Sequence, residues 1–154
     1  MNWITRARPK TDRIACAWLV RRFIDPAAVF HCVSEGTVLE VAGLLDGKSF
    51  DSPGADYTHR AKPGGGQWCT FEILVADFDL GVDPALARLA AIVHAADIAA
   101  DVSTDPLGPG LQAIGLGGLD AETDQQLLAS GMYVYDALYA WCAQQVAATA
   151  ATPA

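Results

Sequence analysis

The sequence predicts an α+β fold in which a small parallel β-α-β-α-β sheet is followed by a mainly helical second half. Strand-like and helix-like segments alternate over residues 1–51, and helical periodicity dominates from residue 70 onward. Alternation of this kind favours parallel strands joined by crossover helices. At 154 residues and 52% hydrophobic content, the chain is long and apolar enough for one domain with its own core. We place that domain at residues 1–147 and a frayed tail at 148–154.

The first half contains three strand-like and two helix-like segments. Strands are expected in "NWIT", "AVFHCV" and, more weakly, "KSFD". The first helix is expected in "TDRIACAWLVRRFID", with Thr11 or Asp12 as the N-cap and Asp25-Pro26 as its end. The second helix, "TVLEVAGLLDG", closes at Gly47. The order of these segments is the one that a small parallel sheet requires.

The second half has a helical period. "TFEILVADF" places apolar residues at i, i+3, i+4 and i+7, which favours a helix, although its β-branched content leaves a strand as the alternative. "DPALARLAAIVHAADIAA" is a helix with Asp83 as N-cap and Pro84 at its first position. The glycine-rich "DPLGPGLQAIGLGGL" is expected to form at most a short helix. A long final helix follows, with Gly131 as a weak point.

Composition and charge exclude several classes of protein. A net charge of −8 disfavours general nucleic-acid binding, because phosphate affinity requires clustered cations. No apolar run reaches the roughly 18 residues that span a bilayer, and "MNWITRARPK" lacks the apolar core of a signal peptide. We therefore expect a cytoplasmic protein without nucleic-acid or membrane partners. The four cysteines are far apart and lack a CxxC pair, so free thiols are expected.

A possible metal site comes from a turn-rich loop and a helix. His59 lies between two clusters of glycine, proline and other turn residues, and Glu72 follows near the start of the next helix. His94 and Asp97 are three residues apart on a helix, so they share a face. Two imidazoles and two carboxylates suit zinc, manganese or iron. Each residue also has an ordinary interpretation, such as a polar helix face.

An anion site is the second possibility. Six of the ten Lys and Arg residues fall within the first 22 positions. If "WIT" is a parallel strand, the residues before the first helix lie at the carboxyl end of the sheet, where open α/β sheets bind ligands. Arg6 and Arg13 flank this crossing and can form bidentate hydrogen bonds to an oxyanion. The alternative is that one of them pairs with Asp12 or Asp25.

Other polar residues have weaker functional interpretations. His31 lies in an apolar strand and is interpreted as a core histidine. Tyr135 and Tyr139 fit a packing stripe on the last helix, although Tyr135 or Asp136 can point into a site. The glycine-rich pieces do not match a phosphate-binding loop, and no Ser-His-Asp or Cys-His arrangement follows from spacing.

Five segments together resemble a known family: "WITRARPKTDRIACAWLVRRFIDP", "FDSPGADYTH", "CTFEILVADFDL", "LAAIVHAAD" and "GMYVYDALYAWC". They resemble the C-terminal domain of ChrB, the chromate-resistance family, from residue 3 to about residue 142. Members of the family are generally longer, chromate-responsive regulators of a chromate-efflux operon. Because the N-terminal part is missing here, the resemblance implies a stand-alone domain, and a DNA-binding role is not carried over.

The resemblance implies a domain that senses or handles an oxyanion such as chromate, with a bound divalent metal ion. His59, Glu72, His94 and Asp97 fall in the matching segments. Chromate is a tetrahedral dianion and gives Arg6 and Arg13 a candidate ligand. A metal-dependent enzyme stays open as the alternative, whether redox, dismutase-like or a metal-assisted hydrolase or lyase acting on a small molecule. A scaffold domain and a homodimer are also compatible with the sequence.

Overall fold

A parallel three-stranded sheet opens the fold. The computed structural model describes residues 1–121 and 123–153. The first elements are β1 (Asn2–Arg6), α1 (Thr11–Leu19, extended by a π-helical turn, Val20–Ile24), β2 (Val29–Val33), α2 (Val38–Leu44) and β3 (Lys48–Ser49). The strand order is β2-β1-β3, and both pairings are parallel. The predicted β-α-β-α-β sheet is confirmed.

The two faces of the sheet have separate hydrophobic partners. Successive side chains of a strand point to opposite faces, and β1 uses Trp3 for one face and Ile4 for the other. Trp3 belongs to the main core with Phe50 and the helices of the second half. Ile4 packs beneath α2, against Val38 and Ala42. The chain reverses direction across the sheet after β2, so the ends of β1 and β3 form a topological switch point.

The second half is helical, as the sequence predicts. Its helices are α3 (Thr70–Asp77), α4 (Pro84–Asp97), α5 (Gly108–Gly117) and α6 (Asp124–Ala151), with a 3₁₀ segment, Ala99–Thr104, after α4. The helix expected in "TFEILVADF" is confirmed as α3, and the strand alternative is wrong. Asp83 caps α4 through the backbone N–H groups of Ala85 and Leu86. The glycine-rich segment forms a ten-residue helix, longer than expected.

A small hairpin between the two halves has no counterpart in the sequence prediction. The antiparallel strands β4 (Arg60–Ala61) and β5 (Gln67–Trp68) are joined by a tip with three consecutive glycines at positive φ. The Arg60 guanidinium donates two hydrogen bonds to Asp77 at the end of α3, at 2.9 and 2.5 Å. Two-residue strands carry no readable alternation, so only the turn chemistry was visible in the sequence.

One local expectation is corrected and another is refined. Lys10, rather than Thr11 or Asp12, occupies the N-cap of α1, and Asp12 lies buried in its first turn. The final helix, α6, is continuous through Gly131, the predicted weak point. A Cβ atom at Gly131 would overlap Cγ2 of Ile14, so glycine permits α6 to approach α1 closely. The same helix reaches Ala151, inside the segment predicted to fray.

The remaining sequence expectations concern thiols and membranes. All four cysteines are free. Within residues 1–121 and 123–153, no helix is both long enough and apolar enough to cross a bilayer.

Candidate metal centre

The candidate site lies where β1, β3 and α1 meet at the carboxyl edge of the sheet. Arg6 is the last residue of β1, Asp51 follows β3, and Asp12 lies in the first turn of α1. The backbone of Asp51 is in the left-handed region, with a φ of 48°, at the turn that follows β3. This edge contains the topological switch point, the position at which open α/β sheets bind ligands.

One histidine nitrogen faces three carboxylates at this edge. Nε2 of His59 lies 3.3 Å from Oδ2 of Asp12, 3.2 Å from Oδ2 of Asp97 and 3.4 Å from Oδ1 of Asp51. A ring nitrogen carries at most one proton, so it cannot donate a full hydrogen bond to all three. We call Asp12, His59 and Asp97 the His59 triad. The atoms of these residues that could bind a metal ion lie within 4.8 Å of one another.

Asp12 also holds the start of α3. Its Oδ2 accepts a hydrogen bond from the backbone N–H of Thr70 at 2.8 Å, and its Oδ1 accepts one from Phe71 at 2.9 Å. Those N–H groups have no partner inside their own helix, and the helix dipole favours a negative charge there. The carboxylate is 1% exposed, so its position is fixed by the fold.

Burial and the close approach of these side chains shift the pKa values of His59 and Asp12. Hydrogen bonds to Asp12 and Asp97 raise the pKa of His59 to about 10, against partial burial. Burial raises the pKa of Asp12 to about 6, while the hydrogen bond from His59 opposes the rise. Without a cation, therefore, the imidazole holds a proton among the carboxylates. A metal ion would compete with that proton for the same atoms.

A second cluster lies at the start of α3. Nδ1 of His94 is 2.7 Å from Oε2 of Glu72, and Nε2 of the same ring is 2.7 Å from Oδ2 of Asp101 in the 3₁₀ segment. Oε2 of Glu72 also accepts a hydrogen bond from the backbone N–H of Cys69 at 2.9 Å. We call Cys69, Glu72 and His94 the Cys69 triad. The atoms of these residues that could bind a metal ion lie within 4.8 Å of one another.

The four residues predicted to share one ion fall into these two clusters. His59 contacts Asp97, and His94 contacts Glu72. The spacing of His94 and Asp97 on α4 is as expected, but each side chain faces a different partner. Three acidic residues and one thiol in these clusters were not predicted as site residues, namely Asp12, Asp51, Asp101 and Cys69. Their signals were weak, because Asp12 resembles a helix cap and Cys69 a core residue.

The two predicted anion-binding arginines are engaged with the protein. Nε of Arg13 lies 3.1 Å from Oδ2 of Asp51, and Nη2 of Arg6 lies 3.3 Å from the same oxygen. Nε of Arg6 donates to the Asp51 backbone carbonyl at 2.8 Å, and its Nη1 donates to Oε1 of Glu35 at 3.2 Å. Both guanidiniums thus lie at the predicted edge of the sheet, with Asp51 as their shared partner. Oxyanion binding by these two residues stays a prediction.

The other polar candidates have structural partners. The Tyr135 hydroxyl donates to the Thr11 carbonyl at 2.8 Å, and Asp136 accepts hydrogen bonds from Arg22 and Trp18. His31 is half-buried rather than a core residue, and its Nε2 lies 2.9 Å from Oδ1 of Asn2. None of these contacts involves a member of either triad.

Comparison with known proteins identifies the family. The family described as "ChrB, C-terminal domain" matches residues 3–142. The chain belongs to the ChrB family. A ChrB-family relative, "Protein ChrB" of Cupriavidus metallidurans, is 37% identical over 139 residues, which cover 90% of this chain but 40% of the relative. The chain therefore spans less than half the length of that ChrB protein. No solved structure gives a significant match.

Proposed function

We propose that this chain is a metal-binding ChrB-family domain that takes part in chromate resistance, with a divalent ion held by the His59 triad. The observation that carries the proposal is the convergence of three carboxylates on Nε2 of His59, at 3.2 to 3.4 Å. Donor atoms that share one small cation lie at about this separation, since metal–oxygen and metal–nitrogen bonds are roughly 2.0–2.2 Å long.

The charges of the cluster fit a divalent ion. Arg6 and Arg13 offset the charge of Asp51. Two carboxylates, Asp12 and Asp97, then remain beside a neutral His59 ligand and balance a doubly charged cation. A set of one imidazole and two carboxylates suits manganese or iron, and also zinc, better than copper(I), which prefers sulfur ligands.

An ion at this position would remain open to a ligand from solution. The side chains of His59 and Asp97 are 27% and 21% exposed, whereas Asp12 is almost fully buried. Three protein ligands leave coordination positions for water or for an anion. Chromate, the oxyanion associated with this family, is a suitable ligand class, and the arginines that flank Asp51 add positive charge nearby.

Metal binding is tested first. The purified chain is stripped with a chelator and titrated with Mn²⁺, Fe²⁺ (anaerobically) or Zn²⁺ in a calorimeter, beside His59→Gln and Asp97→Asn. We expect each variant to lose affinity by roughly 100-fold or more for its best ion, because altering even supporting residues of a metal site costs 10–100-fold. His31→Gln is the matched control, since His31 lies outside both clusters. Unchanged affinity in both triad variants would sink the metal assignment.

The anion is tested on the same samples. Chromate binding is measured with the loaded and the stripped protein, with sulfate as a competitor of the same shape. We expect chromate to bind the loaded wild type and not His59→Gln. If binding is independent of metal but is lost in Arg13→Gln, the guanidiniums form the anion site and the metal has another role.

A metal-dependent enzyme is the second candidate function. The observation that favours it is the solvent-accessible side of the His59 triad, since a catalytic ion keeps a position for water or substrate. A bound ion there would polarise a small ligand or lower the pKa of a coordinated water. Turnover of a small substrate that requires the ion and disappears in Asp97→Asn would support this function over binding alone.

A further inference from the structure

Cys69 and Glu72 are brought together by the way α3 begins. Cys69 is the N-cap residue of α3 and Glu72 is its third residue, and the two form a capping box. The Glu72 carboxylate turns back to accept the Cys69 backbone N–H at 2.9 Å. Capping boxes normally use Ser or Thr at the first position. Cysteine in that place puts a sulfur atom beside a carboxylate at the positive end of a helix dipole.

His94 completes the group from α4. Both of its ring nitrogens face carboxylates, since Nε2 lies 2.7 Å from Oδ2 of Asp101 and Nδ1 lies 2.7 Å from Oε2 of Glu72. Metal-binding histidines usually donate one ring N–H to a carboxylate while the other nitrogen binds the ion, and Asp101 can accept that N–H. Nδ1, the nitrogen on the Glu72 side, would then be the metal ligand.

The balance of charge and burial points to a cation. Cys69 is fully buried and His94 is 8% exposed. One thiolate, one carboxylate and one neutral imidazole carry two negative charges, which a divalent ion cancels, and a buried site needs such neutrality.

We propose that Cys69, Glu72 and His94 form a second metal site, selective for a thiophilic divalent ion such as zinc, with Asp101 as the positioning residue for His94. This site does not require the His59 triad to bind an ion. Thiolate and imidazole are preferred zinc ligands, whereas the oxygen-rich His59 triad suits manganese or iron. Both sites lie beside the start of α3, because Asp12 of the His59 triad accepts a hydrogen bond from the backbone N–H of Thr70, the residue directly after Cys69. The two neighbouring sites would therefore take different ions.

Cobalt substitution tests the presence of sulfur at the ion. Cobalt(II) replaces zinc in such sites, and a bound thiolate gives an intense near-ultraviolet charge-transfer band. The stripped protein is titrated with Co²⁺, and we expect the band to grow to a limit of one thiolate per chain. Cys69→Ser should abolish the band. Cys142→Ser is the matched control, because Cys142 is another fully buried free thiol, on α6.

Further variants separate the two sites. His59→Gln should keep the band, because it alters only the first triad, and Cys69→Ser should bind one zinc ion fewer per chain than wild type. Asp101→Asn should keep the band but lower cobalt affinity by roughly 10- to 100-fold. A wild type without the band at saturating cobalt, or a band that survives in Cys69→Ser, overturns the proposal. If Cys69→Ser does not fold, His94→Gln gives the same decision.

Discussion

Replacing Gly131 with alanine tests the close packing of α1 against α6. Two opposing effects set the magnitude. Alanine is favoured over glycine in a helix interior by about 1 kcal/mol. The added Cβ, however, would overlap Cγ2 of Ile14, a buried β-branched side chain with one preferred rotamer in a helix. Overpacking of a dense core typically costs about 1–3 kcal/mol. Because the overlap is severe and Ile14 cannot rotate away, we expect a net loss of about 1–2 kcal/mol in the free energy of unfolding.

Urea denaturation followed by circular dichroism measures this loss. Gly110→Ala is the matched control, because Gly110 lies in α5 with open space around its Cβ position. That variant should gain about 0.5–1 kcal/mol from helix propensity alone. In an Ile14→Ala background the obstructing methyl group is absent, so Gly131→Ala should there be neutral or stabilising. A Gly131→Ala variant as stable as wild type, or an equal loss in both backgrounds, would refute the packing argument.

Two further predictions concern carboxylates outside both triads. Asp136→Ala should cost about 1 kcal/mol at pH 7, after allowance for its 44% exposed side chain, because it pairs with Arg22 and accepts from the buried indole N–H of Trp18. The hydrogen bond from Arg22 lowers the pKa of Asp136 below 3.8. The stabilisation by Asp136 is therefore present above that pH and is lost in wild type as the pH falls further. If urea titrations give the same loss of stability for Asp136→Ala at pH 7 and pH 3, the ion pair is contradicted. Asp83→Ala should cost about 2 kcal/mol, because Asp83 caps α4 and accepts the Tyr139 hydroxyl at 2.7 Å. Tyr139→Phe, which removes the hydroxyl bond alone, should cost about half as much by thermal unfolding, and an equal cost would assign the whole effect to the phenol.

The arrangement of the fold follows from patterns that the sequence displays. The parallel pairing of β1, β2 and β3 follows from the alternation of strands and crossover helices along the chain, although the strand order β2-β1-β3 was not predicted. The helical period of α3 and α4 and the Asp83-Pro84 start of α4 are local signals, so their predictions are confirmed. Such features depend on residues that are close in the chain.

The candidate site was only partly predictable, because its partners are far apart in the chain. Asp12 was expected near the start of a helix, yet its carboxylate binds the start of a different helix, at Thr70 and Phe71. Nothing local distinguishes such a carboxylate from an ordinary cap. The residue types around His59 and His94 indicated metal chemistry, but their division between two clusters depends on how α3 and α4 pack.

Gly131 shows the same limit for a structural residue. Glycine within a helical pattern indicates a weak point when only the helix itself is considered. Its actual role depends on Ile14, a residue of another helix. Sequence periodicity identifies the apolar face of each helix, but the distance of closest approach between two helices is a property of the packed pair.

In the hairpin formed by β4 and β5, the length of the tip is independent of the positions of the two residues that flank its base. His59 immediately precedes the hairpin and Cys69 immediately follows it, so one segment connects the two triads. Its base is held by strand pairing and by the Arg60–Asp77 ion pair, while the glycine tip is exposed. We therefore expect insertions or deletions at the tip to leave His59 and Cys69 in place. For protein engineering, this tip is a suitable attachment point for a fluorophore that reports on both triads from outside.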